Sequence, residues 1–181
     1  MTRCKWCNLD NPLYVEYHDK EWGVLNLDDS YLFEMLILES FQAGLSWECI
    51  LNKRENFRKA FDNFNHKLIS KYDEQKINTL MVDKGIIRNK LKIKAAINNA
   101  SIFLKIQKEY ENFKNYILKL TKGKIIYECD KTTNKLSDDI SEDLKKRGMK
   151  FVGSTIIYSY LQAIGVINSH DEKCFLHVKA L

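Results

Sequence analysis

Proline is nearly absent from this 181-residue chain, Pro12 being the only one, and there are seven glycines. So few breakers exclude a proline- or glycine-rich linker, and no internal repeat or low-complexity tract divides the chain. A single domain over 1–181 is expected. Long apolar runs are missing too. The longest, such as Met35 to Leu38 and Thr155 to Ile157, are far too short to cross a bilayer, and no lipidation motif is visible, so no membrane partner is expected. No basic stretch followed by an apolar one opens the chain as a secretory signal, and the five cysteines are odd in number. A disulfide framework is therefore not expected, and a reducing cytoplasm is the expected location. Neither sign of charge dominates: 29 Lys and Arg against 24 Asp and Glu give +5. That is compatible with a nucleic-acid partner and equally with an ordinary soluble surface.

What is present is helical periodicity. Past residue 28, apolar residues recur every three or four positions rather than alternating, so an all-α chain is expected. Asp28 to Ser30 caps a helix running to about Gln42. Gly44 breaks the chain, and Ser46 caps a second helix from Trp47 to about Phe61. Asp73 opens a short helix ending near Val82, DKGII turns, and RNKLKIKAAINNASIFLKI continues as a long amphipathic helix. Further helices are expected over 112–120, 138–147 with Gly148 after the end, and 154–164 with Gly165 after the end. Residues 122–135 are expected to hold a short strand or a loop. The ends, 1–27 and 166–181, are the least helical parts, and cysteine and histidine collect there.

The ends carry a candidate metal site. Cys4 and Cys7 form Cys-x2-Cys, His18 follows, and the tail offers His170, Cys174 and His177. His-x3-Cys places two donors one helical turn apart, and tetrahedral zinc needs four ligands. A clip between the two termini would hold segments that otherwise fray. Spacing favours Cys4, Cys7, His170 and Cys174, with His18 competing with Cys7. Four protein ligands leave no open position, so the ion would be structural.

Glu39 is a carboxylate on an apolar face. Its helical neighbours are Leu32, Met35, Leu36, Gln42 and Ala43. Burying it unpaired costs several kcal/mol, so either an internal partner satisfies it or a ligand does. Trp6, Tyr14, Tyr17, Trp22 and Trp47 all lie within the first 47 residues. Such rings are core in most proteins, but around an acid they also suit stacking on a flat cationic base.

Residues 74–105 read as helix, turn, helix, with Lys84, Arg88, Lys90, Lys92 and Lys94 at or just after the turn. Gly85 permits a tight turn, and amides at the start of the second helix can hold a phosphate. This is a helix-hairpin-helix reading, although the glycine-x-glycine turn is missing and a basic exposed helix face is the common alternative.

YVEYHDKEWG, LFEMLILESFQAGLSW, LNKRENFRKAFDNF, DKGIIRNKLKIKAAINNA, DLKKRGMKFVGSTIIYSYLQAIGVINSH and the terminal His-x3-Cys together resemble the DNA-3-methyladenine glycosylase I family, from residue 3 to about 174. The resemblance implies an all-helical helix-hairpin-helix glycosylase whose ends are joined by a structural zinc ion held by Cys4, His18, His170 and Cys174. It implies base-excision repair: hydrolysis of the N-glycosidic bond of 3-methyladenine in alkylated double-stranded DNA, by a monomer. Glu39 would recognise the everted base, Tyr17 and Trp47 would contact and stack on it, and Trp6 and Trp22 would shape the pocket. Gly44 and Leu45 would fill the gap in the duplex, with Gly85 and Arg88 on the phosphates. Residues 98–116 offer Glu109 and Glu111 but no aspartate, and no lysine stands out as a Schiff-base nucleophile, so no lyase activity is expected. A non-enzymatic zinc-stapled DNA-binding module is the rival class. A zinc deaminase is disfavoured because Pro-Cys-x2-Cys does not occur.

Overall fold

In the computed structural model, which describes residues 1–178, ten α-helices and one two-stranded sheet are present among the described residues. Positions 179–181, the last three of the expected C-terminal clip segment, lie outside the described residues. The all-α expectation is met.

The helices are α1 (Pro12–Lys20), α2 (Asp29–Gln42), α3 (Trp47–Leu51), α4 (Arg54–Ala60), α5 (His66–Ile69), α6 (Glu74–Val82), α7 (Lys90–Tyr110), α8 (Phe113–Thr121), α9 (Lys135–Lys146) and α10 (Ser154–Ala163). α2 is the axis of the fold. Every residue from Leu32 to Phe41 is buried, Glu34, Glu39 and Ser40 included, as expected of a helix enclosed by others. It packs against α3, α7, α8 and α10. The Asp28 side chain accepts from the amides of Ser30 and Tyr31, and this fixes where the helix starts.

Three expectations are corrected. Residues 12–20 are helical: Asn11 caps the amides of Leu13 and Tyr14, and Pro12 occupies the first helical position, where its missing N–H costs nothing. The helix expected over 47–61 is two, α3 and α4, separated at Asn52 and Lys53. α9 begins at Lys135 rather than 138, because Asn134 and Ser137 form a reciprocal capping box.

The segment left open as strand or loop contains β1 (Ile126–Tyr127), which pairs in parallel with β2 (Ile167–Asn168), Ile126 opposite Ile167 and Tyr127 opposite Asn168. β2 follows α10 through Gly165, whose φ is +75°. A Cβ there would lie 2.2 Å from the Val24 carbonyl carbon, so only glycine lets the N-terminal loop cross this point. The loop is then tied down by Gly23 N–H to the Gln162 carbonyl and Asn26 N–H to the Ile164 carbonyl. These contacts bring the two ends of the chain together.

Candidate active site and metal cluster

A cavity of about 290 Å³ opens beside α2, at the small end of the range for ligand pockets, so it suits one aromatic base. Trp6, Tyr14, Tyr17, Trp22 and Trp47 supply its aromatic walls, and Glu39 with Gln42 supplies polar groups from α2. α1 presents Tyr14 and Tyr17 three positions apart on one buried face. Trp47 enters from the first turn of α3, its ring centroid 5.3 Å from that of Tyr17. Trp6 packs edge-on against Trp22 at 4.8 Å.

Glu39 is 3% exposed, and its Oε2 has no hydrogen-bond partner among the described residues. Burial alone pushes its carboxyl up to about 8. The indole Nε1 of Trp47 and the hydroxyl of Ser169, both lining the same cavity, are also buried without partners. Buried polar atoms are nearly always satisfied, so a cluster of orphans on one cavity marks a surface shaped for a polar ligand.

Beside this pocket, Cys4, His18, His170 and Cys174 are all buried, with their ligand atoms within 4.8 Å of one another. Cys4 Sγ lies 3.4 Å and Cys174 Sγ 3.5 Å from His170 Nδ1, and Cys174 Sγ lies 3.5 Å from His18 Nε2. Metal bonds of 2.0–2.3 Å give tetrahedral edges of about 3.3–3.8 Å, so the spacing fits a four-coordinate ion. The outer contacts agree. His18 Nδ1 lies 2.8 Å from Asp19 Oδ1, and His170 Nε2 lies 3.2 Å from the Trp22 carbonyl. Each ring can donate its far N–H outward and turn a lone pair toward the sulfurs, as metal-ligating histidines do. Asp19 is itself clamped by Arg3 at 2.7 Å, and that guanidinium holds its carboxyl down to about 2. Burial pushes the Cys4 thiol up to about 12, and holding a metal would require the thiolate.

The set favoured by spacing is thus not the set the fold assembles. Cys7 is buried elsewhere, its Sγ 3.9 Å from the Tyr14 carbonyl, and His18 takes its place. Nor is His-x3-Cys helical. A turn in which Cys174 N–H bonds the Asp171 carbonyl folds the two donors together.

The hairpin lies where expected, α6 and α7 joined by residues 83–89. Two details differ. The Gly85 amide donates to Asp83 Oδ1 at 2.7 Å and the Lys92 amide to Asn89 Oδ1 at 3.1 Å, so these two are already satisfied. A Cβ at 85 would press on Asn56 and Asp83 at 3.0–3.1 Å, so a side chain there would make those neighbours give by a few tenths of an ångström. Among the hairpin cations, Lys90 and Lys94 pair with Glu74, whereas Arg88 is exposed and forms no salt bridge among the described residues. Gly44 and Leu45 form the turn between α2 and α3. Gly44 has φ +78° and open space around it, and Leu45 is 40% exposed.

The sequence profile of the methyladenine glycosylases matches residues 6–177. The chain belongs to the methyladenine glycosylase family. It is 42% identical over 181 aligned positions to DNA-3-methyladenine glycosylase 1 of Escherichia coli (strain K12), with 96% of each chain covered. A crystal structure of 3-methyladenine DNA glycosylase I superposes with a TM-score of 0.93 at 41% identity, covering 98% of this chain and 100% of that one. The Staphylococcus aureus 3-methyladenine DNA glycosylase I, solved to explain 3-methyladenine recognition, superposes with a TM-score of 0.93 at 32% identity, covering 100% of this chain and 99% of that one.

In this methyladenine glycosylase chain the fold brings Tyr17, Trp22, Trp6, Trp47 and Glu39 to one cavity. It keeps Gly85 and Arg88 on the separate hairpin and Gly44 and Leu45 in the turn beside the pocket. Sequence reasoning missed several lining residues: Gln42, Ser159, Gln162, Ser169, Asp130 and Asp171. Tyr14 was legible, three positions before Tyr17, once α1 is read as a helix. Asp130 and Asp171 come from loops whose placement depends on the β1–β2 pairing and the chain-end clip, and no local pattern announces them.

Proposed function

We propose that this protein is a base-excision repair enzyme that removes 3-methyladenine from alkylated double-stranded DNA by hydrolysing the bond between the base and the deoxyribose. The observation that carries this reading is the unpaired, buried Oε2 of Glu39 inside an aromatic cavity. A base inside the stack is out of reach, so the nucleotide swings out of the duplex, at a cost of a few kcal/mol in stacking and pairing. Leu45, exposed on its turn, fills the space left behind. Tyr17 and Trp47 stack on the everted ring, and Glu39 accepts its hydrogen bonds.

The charge of the damaged base explains why an acid sits there. In DNA, 3-methyladenine is a cation, and its approach to Glu39 favours the carboxylate that burial otherwise disfavours. Ordinary adenine is neutral and leaves the buried charge uncompensated, which gives discrimination without a strong general acid. When the glycosidic bond breaks, its electron pair goes to the base, which departs neutral. Water adds to the anomeric carbon and gives up a proton. Glu39 therefore acts mainly in recognition, and its negative charge also steadies the oxocarbenium-like sugar.

The enzyme is monofunctional in this reading. Lys92, the one buried lysine among the described residues, donates to the carbonyls of Phe41 and Ala43 and does not line the cavity, which disfavours a Schiff base. Cys4, His18, His170 and Cys174 would hold one zinc ion, which supplies structural closure and no open coordination position. Arg88 and the amides at the start of α7 hold phosphate without reading sequence. The free thiols suit a reducing cytoplasm, and one chain forms the whole site, so a monomer suffices. Chromatographic detection of free 3-methyladenine released from methylated duplex DNA tests the reading. DNA binding without release would leave the zinc-stapled binding module.

A further inference from the structure

Lys92 is buried on the third position of α7, yet no carboxylate pairs with it among the described residues. Its Nζ instead donates to the carbonyl oxygens of Phe41 at 2.8 Å and Ala43 at 2.6 Å. Those oxygens belong to the end of α2, where a helix presents carbonyls with no partner of its own and a partial negative charge. α2 has no basic residue in its last turn. The cation that its C-terminus calls for thus arrives from another helix. The Leu45 amide closes the same turn onto the Gln42 carbonyl at 2.6 Å, and Gly44 supplies the φ of +78°.

We infer that Lys92 is a positioning residue that fixes the Gly44–Leu45 turn, tying the start of the second hairpin helix to the element that enters the duplex. The inference rests on the proposed reading in which Leu45 fills the gap left by the everted nucleotide. Three observations support it. The two lysine bonds bracket Gln42, the residue on which the turn closes, so they hold the turn on both sides. Gly44 is the most permissive residue, and with no heavy atom within 4 Å of a built Cβ, side-chain packing does not hold it. Asn89 meanwhile caps the Lys92 amide, so the backbone carrying this lysine is anchored in the hairpin turn. Backbone phosphates docked at the start of α7 are thereby held at a set distance from Leu45, and grip on the DNA is transmitted to the turn.

Lys92 does not line the pocket, so its loss should spare base recognition and impair eversion. Lys92→Met keeps the length and apolar stem while removing every donor, and Lys92→Gln keeps one amide donor. Binding of free 3-methyladenine, followed by tryptophan quenching, should stay within about twofold of wild type in Lys92→Met, while release from methylated duplex slows about tenfold or more, as expected when charge-assisted bonds are lost from the committed state. Leu45→Ala should show the same split, and Lys92→Met with Leu45→Ala should be no slower than the slower single variant, because both act through one element. Release at the wild-type rate, a parallel loss of free-base binding, or a double variant whose loss is the product of the two singles would each overturn the inference. Thermal melting checks folding, and if Lys92→Met does not fold, Lys92→Gln is judged by the same criteria. A wild-type protein that neither binds nor releases 3-methyladenine would instead sink the proposed function.

Discussion

Glu34 and Glu39 lie five positions apart on α2 and are both buried, but Glu34 receives Arg54 at 2.6 Å and Arg58 at 2.9 Å, whereas Glu39 Oε2 receives nothing among the described residues. The same helix therefore carries one carboxylate neutralised by the protein and one left for something else. Arg54 also holds Glu21 at 2.8 Å, immediately before Trp22 of the pocket wall. Arg54→Ala strands Glu34 and Glu21 and is expected to cost about 3 kcal/mol or more in urea unfolding, the usual penalty for breaking a buried pair on one side.

Glu39→Gln should behave in the opposite way. Its folded carboxyl, raised to about 8 by burial, lies above the unfolded value near 4.5. Between these pH values the unfolded chain has released the proton that the folded chain retains, so wild-type stability falls as pH rises. The advantage of Glu39→Gln over wild type should be absent below about pH 4.5, grow by about 1.4 kcal/mol per pH unit, and level off above about pH 8. Paired denaturation curves across this range check it, and a flat difference would place a partner on Glu39.

The candidate metal site of Cys4, His18, His170 and Cys174 shares its apolar surroundings with the pocket: Cys4 and Cys174 pack in one cluster with Tyr14, Tyr17 and Trp22, and Trp22 stacks edge-on against His170 at 4.7 Å. Elemental analysis should find about one zinc per chain, lost in His18→Ala and kept in Cys7→Ala. Chelation should lower the melting temperature and weaken binding of 3-methyladenine together, because the Trp22 carbonyl bonds a ligand histidine.

Trp47 tests the stacking surface. Trp47→Ala should weaken binding of free 3-methyladenine by about 5- to 150-fold, equivalent to about 1–3 kcal/mol per stacked base, and Trp47→Phe should recover most of it. Tryptophan quenching or calorimetry gives the numbers.

Much of this fold was legible because caps and periodicity act locally. Asp28, Ser46 and Asp73 each accept amide hydrogen bonds at the helix starts they signalled. Glu39 was legible because a charge among Leu32, Met35 and Leu36 conflicts with its surroundings. What escaped depends on contacts distant in sequence. Spacing alone did not yield His18 over Cys7, which the resemblance implied and the structure bears out, because that choice turns on how α1 lies against the tail; the break at Asn52 precedes Arg54, whose partners sit on α2 and before Trp22. Lys92 read as one of several hairpin cations. Its burial against the end of α2 is a tertiary fact with no signature in the hairpin itself.

The most direct measurement compares the rate at which wild-type protein and Glu39→Gln release 3-methyladenine from methylated duplex DNA at neutral pH, with both proteins shown to be folded. Release by the wild type and a loss of about a hundredfold or more in Glu39→Gln is expected, in line with removing a buried charged contact to the reacting base. Equal rates in the two proteins would contradict the assignment of this acid to the base.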